Sequence, residues 1–478
     1  MIHRQRKWIA AVLATIVAFA MLAGCGGGGN NTADNKAGTS NSGTATSNTS
    51  SDNGTNVKKF DNMELNVAVF QGGYGREYWD AVADSFMKDY PGTKINITAS
   101  PKIAELIRPK IVAGNPPDFM YISGSDNTPL VDAMIKDKAV LDITDLFNEN
   151  ALDSNTPLKD KILPGALESR SMSPYGDGKV YMAPFNFGVM GLWYNKNLFD
   201  TKGIQVPKTW DELFALNDTA KQNGRALFTY QGLYPGYLEE MIIPSIYGLG
   251  GQDAVNQMYE YDPTFWKSDT FKQVWGLLDK IANDDNGLMK GTVALNHTQA
   301  QTAFMQGKAM FIPNGTWFED EMKDAPREDG FQFGFLGVPA FKSGDPVMAM
   351  TNVEQMLIPA KAKNPELAKE FLKYIYTEKS VKLNGEKSKA VLAVKGAPDL
   401  VKEYISETTY NVYKAVDSGM KTTNGTFKPV AKGSKYNPAD EVYKPISSIM
   451  NKQLTLDQYS EKLTKVYTDI QKELSAQQ

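Results

Sequence analysis

Few residues of this chain could carry covalent or metal chemistry. Two histidines (His3 and His297) and one cysteine (Cys25) stand among 478 residues. A Cys/His zinc site, a disulfide framework or a Cys–His nucleophile pair each needs more than that. The adjacent carboxylates Glu239-Glu240 could in principle serve a glycosidase, but among 55 acids some such pair arises by chance. Asp284-Asp285-Asn286-Gly287 invites a calcium-loop reading. With Gly287 at the loop's glycine position, the first and last ligands would be Ala282 and Val293, which have no carboxylate. The stretch reads instead as a solvated turn. Gly72-Gly73-Tyr74-Gly75 lacks the lysine of a phosphate loop and the later glycine of a dinucleotide fingerprint. It reads as a turn that allows a ligand to approach closely. Neither G-x-S-x-G nor H-E-x-x-H occurs, and His297 reads as a surface or packing residue. No cofactor, metal or catalytic residue is expected.

The aromatic supply is more informative. Trp193, Trp266, Trp275 and Trp317, with Tyr74, Tyr230, Tyr234, Tyr237 and Tyr436, stand near Gly, Pro or Asn. Sugars present apolar C–H faces that stack on rings, and hydroxyl rims that need polar partners. Tyr and Trp supply the ring and keep a polar handle. Any one large aromatic is more often core than ligand contact.

These residues need a scaffold, and the sequence pattern supplies one. Leu65–Phe70 reads as a strand, residues 76–90 as a helix, Lys94–Thr98 as a strand, residues 102–113 as a helix and Asp118–Ile122 as a strand. This alternation is that of an α/β fold with a mostly parallel sheet. Ligands gather outside the carboxyl ends of such strands, which marks Gln71–Gly75 and Ser123–Asn127. A second α/β region begins near Phe187. It has a strand at Val189–Asn195, a helix capped by Thr209, a strand at Ala226–Tyr230, and helices near 238–249, 269–282, 298–306 and 364–376. Residues 437–473 read as one or two amphipathic helices.

The first residues read as an address. A basic start leads into fifteen uncharged residues, Trp8–Leu22, shorter than the roughly 20 a spanning helix needs. The run ends in Leu22-Ala23-Gly24-Cys25, which resembles the bacterial lipobox, so 1–24 is expected to be a lipoprotein signal peptide and Cys25 the lipid attachment. After Cys25, residues 26–56 are Gly, Asn, Ser, Thr and Ala with Asp34, Lys36 and Asp52, and no large apolar side chain, so 25–56 reads as one segment. They are expected to form a disordered tether with a span of about 30 Å. The net charge is −4 and there is no basic run, which disfavours nucleic acid as a partner.

Several stretches resemble the family 1 extracellular solute-binding proteins of ABC importers, the sugar-binding branch that includes maltose-binding protein. They are Gly191-Leu192-Trp193-Tyr194-Asn195-Lys196 with Pro207-Lys208-Thr209-Trp210-Asp211-Glu212-Leu213, Gly114-Asn115-Pro116-Pro117-Asp118, Ala303-Phe304-Met305-Gln306-Gly307-Lys308-Ala309-Met310 with Gly315-Thr316-Trp317, and Asn364-Pro365-Glu366-Leu367-Ala368-Lys369-Glu370-Phe371-Leu372. They occur in family order. Val67–Gly75 also looks like the branch that binds N-acetylglucosamine and chitobiose. Gly72-Gly73 and Ile122 depart from the maltose-binding pattern, which argues against a maltodextrin.

The resemblance implies a two-lobe type II periplasmic-binding-protein fold with a ligand cleft between the lobes. Lobe 1 would be 57–187 and 350–400, lobe 2 would be 188–349 and 401–478, and the last crossing would fall near Ala397. It implies a protein that captures a small carbohydrate by hinge closure and delivers it to membrane permease subunits; a monomer is expected, and the lipobox cysteine with its long tether suits a lipid anchor on the extracytoplasmic face of a Gram-positive cell membrane. The ligand contacts carried over are Trp317, Tyr234, Tyr237, Tyr74, Gln71, Ser125, Asp126, Asn186, Asn352, Glu354 and Tyr436. Trp193, Trp210 and Trp79 are expected to be core. The alternatives are a surface glycoside hydrolase using a carboxylate pair, and a peptide-binding lipoprotein of the same fold.

Overall fold

β1 (Glu64–Phe70), β2 (Lys94–Ser100) and β3 (Phe119–Tyr121) lie side by side, with β1 central and parallel to both. The computed structural model describes residues 59–122 and 130–477. The signal, Cys25 and the tether therefore lie outside the described residues, as do Ser125 and Asp126. β4 (Met182–Asn195), β5 (Ala226–Phe228), β6 (Ala309–Gly315), β7 (Phe333–Gly337), β8 (Met348–Leu357) and β9 (Lys421–Thr423) complete the strands described. The sheet order is β2-β1-β3-β8-β4-β6-β5, with β7 on β4 and β9 on β8.

Long β4 and β8 run antiparallel and hold two lobes together. Each lobe buries apolar side chains on both faces of its part of the sheet. In the first lobe, Val67, Val69, Phe119 and Tyr121 face one layer with Trp79, while Ala68 and Met120 face another with Ile103 and Ile107. The period-2 alternation of the strand is thus used on both sides. In the second lobe, Leu192, Phe228 and Phe311 join one layer, and Trp193 and Ile312 join the other with Phe304 and Phe318.

The helices follow local signals. Thr209 accepts from the Glu212 amide at 3.2 Å to open the helix Trp210–Ala215, and Asn296 closes a capping box with Gln299 on His297–Met305. The helix read as 238–249 runs on as Glu239–Tyr259, with a break at Gly251, where φ is +65°.

The last passage between lobes corrects the reading near Ala397. Ala397, Val401, Val412 and Tyr413 pack in the first lobe, and the chain joins the second core at Phe427, whose ring meets Tyr259. The amphipathic helix Glu407–Asp417 has its apolar face on the first core, and β9 pairs with the opening residues of the crossing strand β8, Met348–Met350.

Candidate functional site

The Gly315-Thr316-Trp317 turn ends β6 beside the point where β4 passes between lobes. The Thr316 amide donates to the Val189 carbonyl at 3.1 Å, and the Thr316 hydroxyl lies 2.9 Å from that of Tyr413. Tyr413 in turn donates to the Phe187 carbonyl at 2.6 Å. Pinned this way, the half-buried Trp317 ring packs closely beside Gly315 and Gly188. A Cβ on Gly315 would stand 2.1 Å from the ring, and one on Gly188 3.2 Å. Glycine at position 315 is therefore what lets the ring lie there, and a Cβ at 188 would press on its edge. Gly188 pairs with the exposed Asn352 on β8, so Asn352 belongs to the same surface.

Tyr234 and Tyr237 come from the turn after β5. The Tyr237 amide donates to the Tyr234 carbonyl at 3.0 Å, and Pro235 opens a short 3-10 turn between them. Tyr234 is 44% exposed and its ring lies 5.6 Å from that of His297. Glu321 stands 4.0 Å from His297 Nε2 and accepts from the Gln301 amide at 2.9 Å. Burial raises the Tyr237 hydroxyl above its ordinary range, and the nearby carboxylates Glu240 and Glu321 add to it.

From the first lobe, Tyr74 sits on the β1 loop. That loop turns through a Gly75 amide bond to the Gly72 carbonyl at 3.0 Å, and Ser388 holds the Tyr74 carbonyl at 3.0 Å. Burial raises the Tyr74 hydroxyl well above its ordinary value. Glu354, Tyr413 and Glu321 all add to that shift, so this ring feels charge from both lobes. Exposed Gln71 is tied to the end of β2 by its amide bond to the Ser100 carbonyl at 3.1 Å.

Glu354 lies on β8 among these groups. Tyr121 donates to its carboxylate at 2.7 Å. Burial lifts the Glu354 carboxyl to about 7, with Tyr121 and the neighbouring Asn186 amide pulling the other way. Asn186 is buried and accepts from Asn384 Nδ2 at 2.9 Å. Its own Nδ2 faces Glu354 without completing a hydrogen bond among the described residues.

Trp317, Tyr234, Tyr237, Tyr74, Asn352, Glu354 and Asn186 are thus linked through neighbouring groups. Tyr436 is placed differently. Its hydroxyl donates to Asp469 at 2.9 Å and Lys435 lies over its ring, so it faces the C-terminal helix Leu456–Ser475. Trp193, Trp210, Trp79, Trp266, Trp275 and Tyr230 are buried in cores. The Glu239-Glu240 pair is inside too. Tyr259 donates to Glu239, Glu240 is 5% exposed, and burial raises both carboxyls. A pair so enclosed does not flank a substrate as a glycosidase pair must.

Sequence reasoning missed Tyr121, Glu321 and Tyr413. Tyr121 ends β3, where strand ends predict ligand contacts. The Glu321 amide donates to the Trp317 carbonyl at 3.0 Å, one helical turn beyond the tryptophan already chosen. Tyr413 gave no signal, being one aromatic on an amphipathic helix. The assembled surface offers rings for stacking and amide, hydroxyl and carboxyl groups for hydrogen bonds. That is equipment for binding a polar ligand with apolar faces.

The family model described as bacterial extracellular solute-binding protein matches residues 72–382. The diacetylchitobiose binding protein NgcE of Streptomyces coelicolor is 27% identical over 342 residues, covering 70% of each chain. The multiple sugar-binding protein of Streptococcus mutans is 24% identical over 330 residues, covering 66% of this chain and 73% of that one. Among solved structures, apo RafE from Streptococcus pneumoniae superposes with a TM-score of 0.66 at 17% identity, covering 86% of this chain and 100% of the other.

Proposed function

The chain belongs to the bacterial extracellular solute-binding proteins, with the type II periplasmic-binding fold of its structural neighbours, and we propose that it captures a short carbohydrate for an ABC importer. The ligand class we favour is an oligosaccharide or amino sugar such as N-acetylglucosamine or chitobiose. Trp317 stacks on a sugar face, Tyr234 and Tyr237 line the second lobe, and Tyr74, Gln71, Asn352, Glu354 and Asn186 hold the hydroxyl and amide rim. Ligand touching both lobes favours the closed state, so binding is coupled to hinge motion about β4 and β8. The closed form then meets the membrane permease. We also propose that Cys25 carries the lipid that keeps the protein on the extracytoplasmic face, with Ser125 and Asp126 as further polar contacts.

The observation that carries this reading is the Trp317 ring, laid against Gly188 and Gly315 where the chain passes between lobes. The binding of diacetylchitobiose by a relative of similar length supports the finer ligand assignment.

Thermal melting of the protein against mono- and oligosaccharides, peptides and metals tests the proposal. A ligand at 100 times its Kd adds about 2.7 kcal/mol to the folded state. Chitobiose or another short oligosaccharide should raise Tm. A response confined to peptides or metals overturns the carbohydrate assignment.

A further inference from the structure

We propose that the outer face of the helix Ile103–Val112 is a contact surface for an anionic lipid bilayer. The helix buries Ile103, Ala104 and Ile107 against the first-lobe sheet. At 100° per residue, Leu106, Pro109, Val112 and the following Ala113 fall on the opposite side, and all four are exposed. Val112 is 82% exposed and Leu106 55%.

Cations flank this apolar stripe. Arg108 and Lys110 border it, while Lys102 and the single acid Glu105 fall within it, and all four are exposed. Lys361 Nζ lies 4.0 Å from where a Cβ on Gly114 would stand. Lys363 shares a recess with Lys110, Asn115 and Pro117. None of these five cations makes an ion pair among the described residues. Aliphatic side chains bordered by unpaired cations suit the boundary between acyl chains and anionic headgroups. A stable protein interface would instead need a broad apolar centre with aromatic anchors, and no aromatic stands in this stripe.

The end of the molecule is also the right one. The Asn364 amide, next to Lys363, donates to the Asn62 and Glu64 carbonyls at 2.7 and 3.0 Å. The described chain therefore begins beside the lysines at the foot of this helix, with Cys25 only 34 residues before Lys59. The orientation, though not the chemistry of the patch, rests on the proposed lipid at Cys25.

The experiment uses the full chain with Cys25→Ser, which removes both the lipid and the competing thiol. A bimane label on Val112→Cys is read with phosphatidylglycerol vesicles, with phosphatidylcholine vesicles, and on a Val206→Cys control in the second lobe. Phosphatidylglycerol should shift emission to the blue at position 112 only. The shift should vanish in high salt, and Arg108→Glu/Lys110→Glu should weaken binding about tenfold or more. No shift at 112, an equal shift at 206 or with phosphatidylcholine, or indifference to the charge reversal overturns the proposal. Mass spectrometry of Cys25 in the cell-derived protein tests the anchor separately.

Discussion

Tyr121 at the end of β3 donates its hydroxyl to Glu354 on β8 at 2.7 Å. The bond joins the first lobe's central strands to the strand that returns from the second, and it does so at a carboxyl that burial lifts from 4.5 to about 7. Between those two values the folded protein holds a proton that the unfolded chain releases. The stabilising contribution is therefore full below about 4.5 and is lost as pH rises through about 7. Glu354→Gln cannot titrate. Melts of both proteins from pH 5 to 8 should show wild-type Tm falling relative to the variant as pH rises, and parallel curves would refute the assignment.

Trp317 and Gly315 form one unit. Trp317→Ala should weaken sugar binding by at least about 2 kcal/mol, as for a buried aromatic anchor. Gly315→Ala sets a Cβ 2.1 Å from the ring and should weaken binding by displacing it. In the double variant the two losses should not add, because both remove the same stacking surface. Additive losses measured by calorimetry would mean that Gly315 acts elsewhere.

The strands and most helices were legible from alternation, caps and short motifs, because those signals are local. What escaped is non-local. Tyr121 and Glu354 are 233 residues apart, and nothing near Tyr121 announces a partner. The last crossing was set too early, near Ala397, because an amphipathic helix such as Glu407–Asp417 reveals that it has a buried face, but not which of two cores receives it. Tyr436 was carried over from the resemblance as a late aromatic of the second lobe, and sequence alone does not reveal the bond its hydroxyl donates to Asp469.

Tyr413 bridges the lobes, touching Thr316 at 2.9 Å and the Phe187 carbonyl at 2.6 Å. Thr409, one turn earlier, donates to Glu319 of the second lobe at 3.0 Å. Tyr413→Phe keeps the ring and removes the hydroxyl that serves both partners. It should cost about 1–3 kcal/mol in urea unfolding, since buried polar groups lose their bonds, and unliganded protein should open further by small-angle scattering. Unchanged stability together with an unchanged radius of gyration would remove Tyr413 from the hinge.

Trp266 provides the opposite case to Trp317. It is 0% exposed and meets Phe265, Phe271, Trp275, Tyr459 and Tyr467 edge-on. These contacts tie the Pro263–Lys267 turn and the helix Asp269–Asn283 to the C-terminal helix. Removing the ring leaves a cavity that five rigid aromatic neighbours cannot easily fill, so Trp266→Ala should cost about 3–5 kcal/mol of stability. Because this cluster lies in the interior of the second lobe, the folded fraction should bind sugar as the parent does. Urea unfolding beside calorimetric titration separates the two roles: stability falls with Trp266, affinity falls with Trp317. A loss of affinity on Trp266→Ala without a loss of stability would place this ring in the ligand site instead of the core.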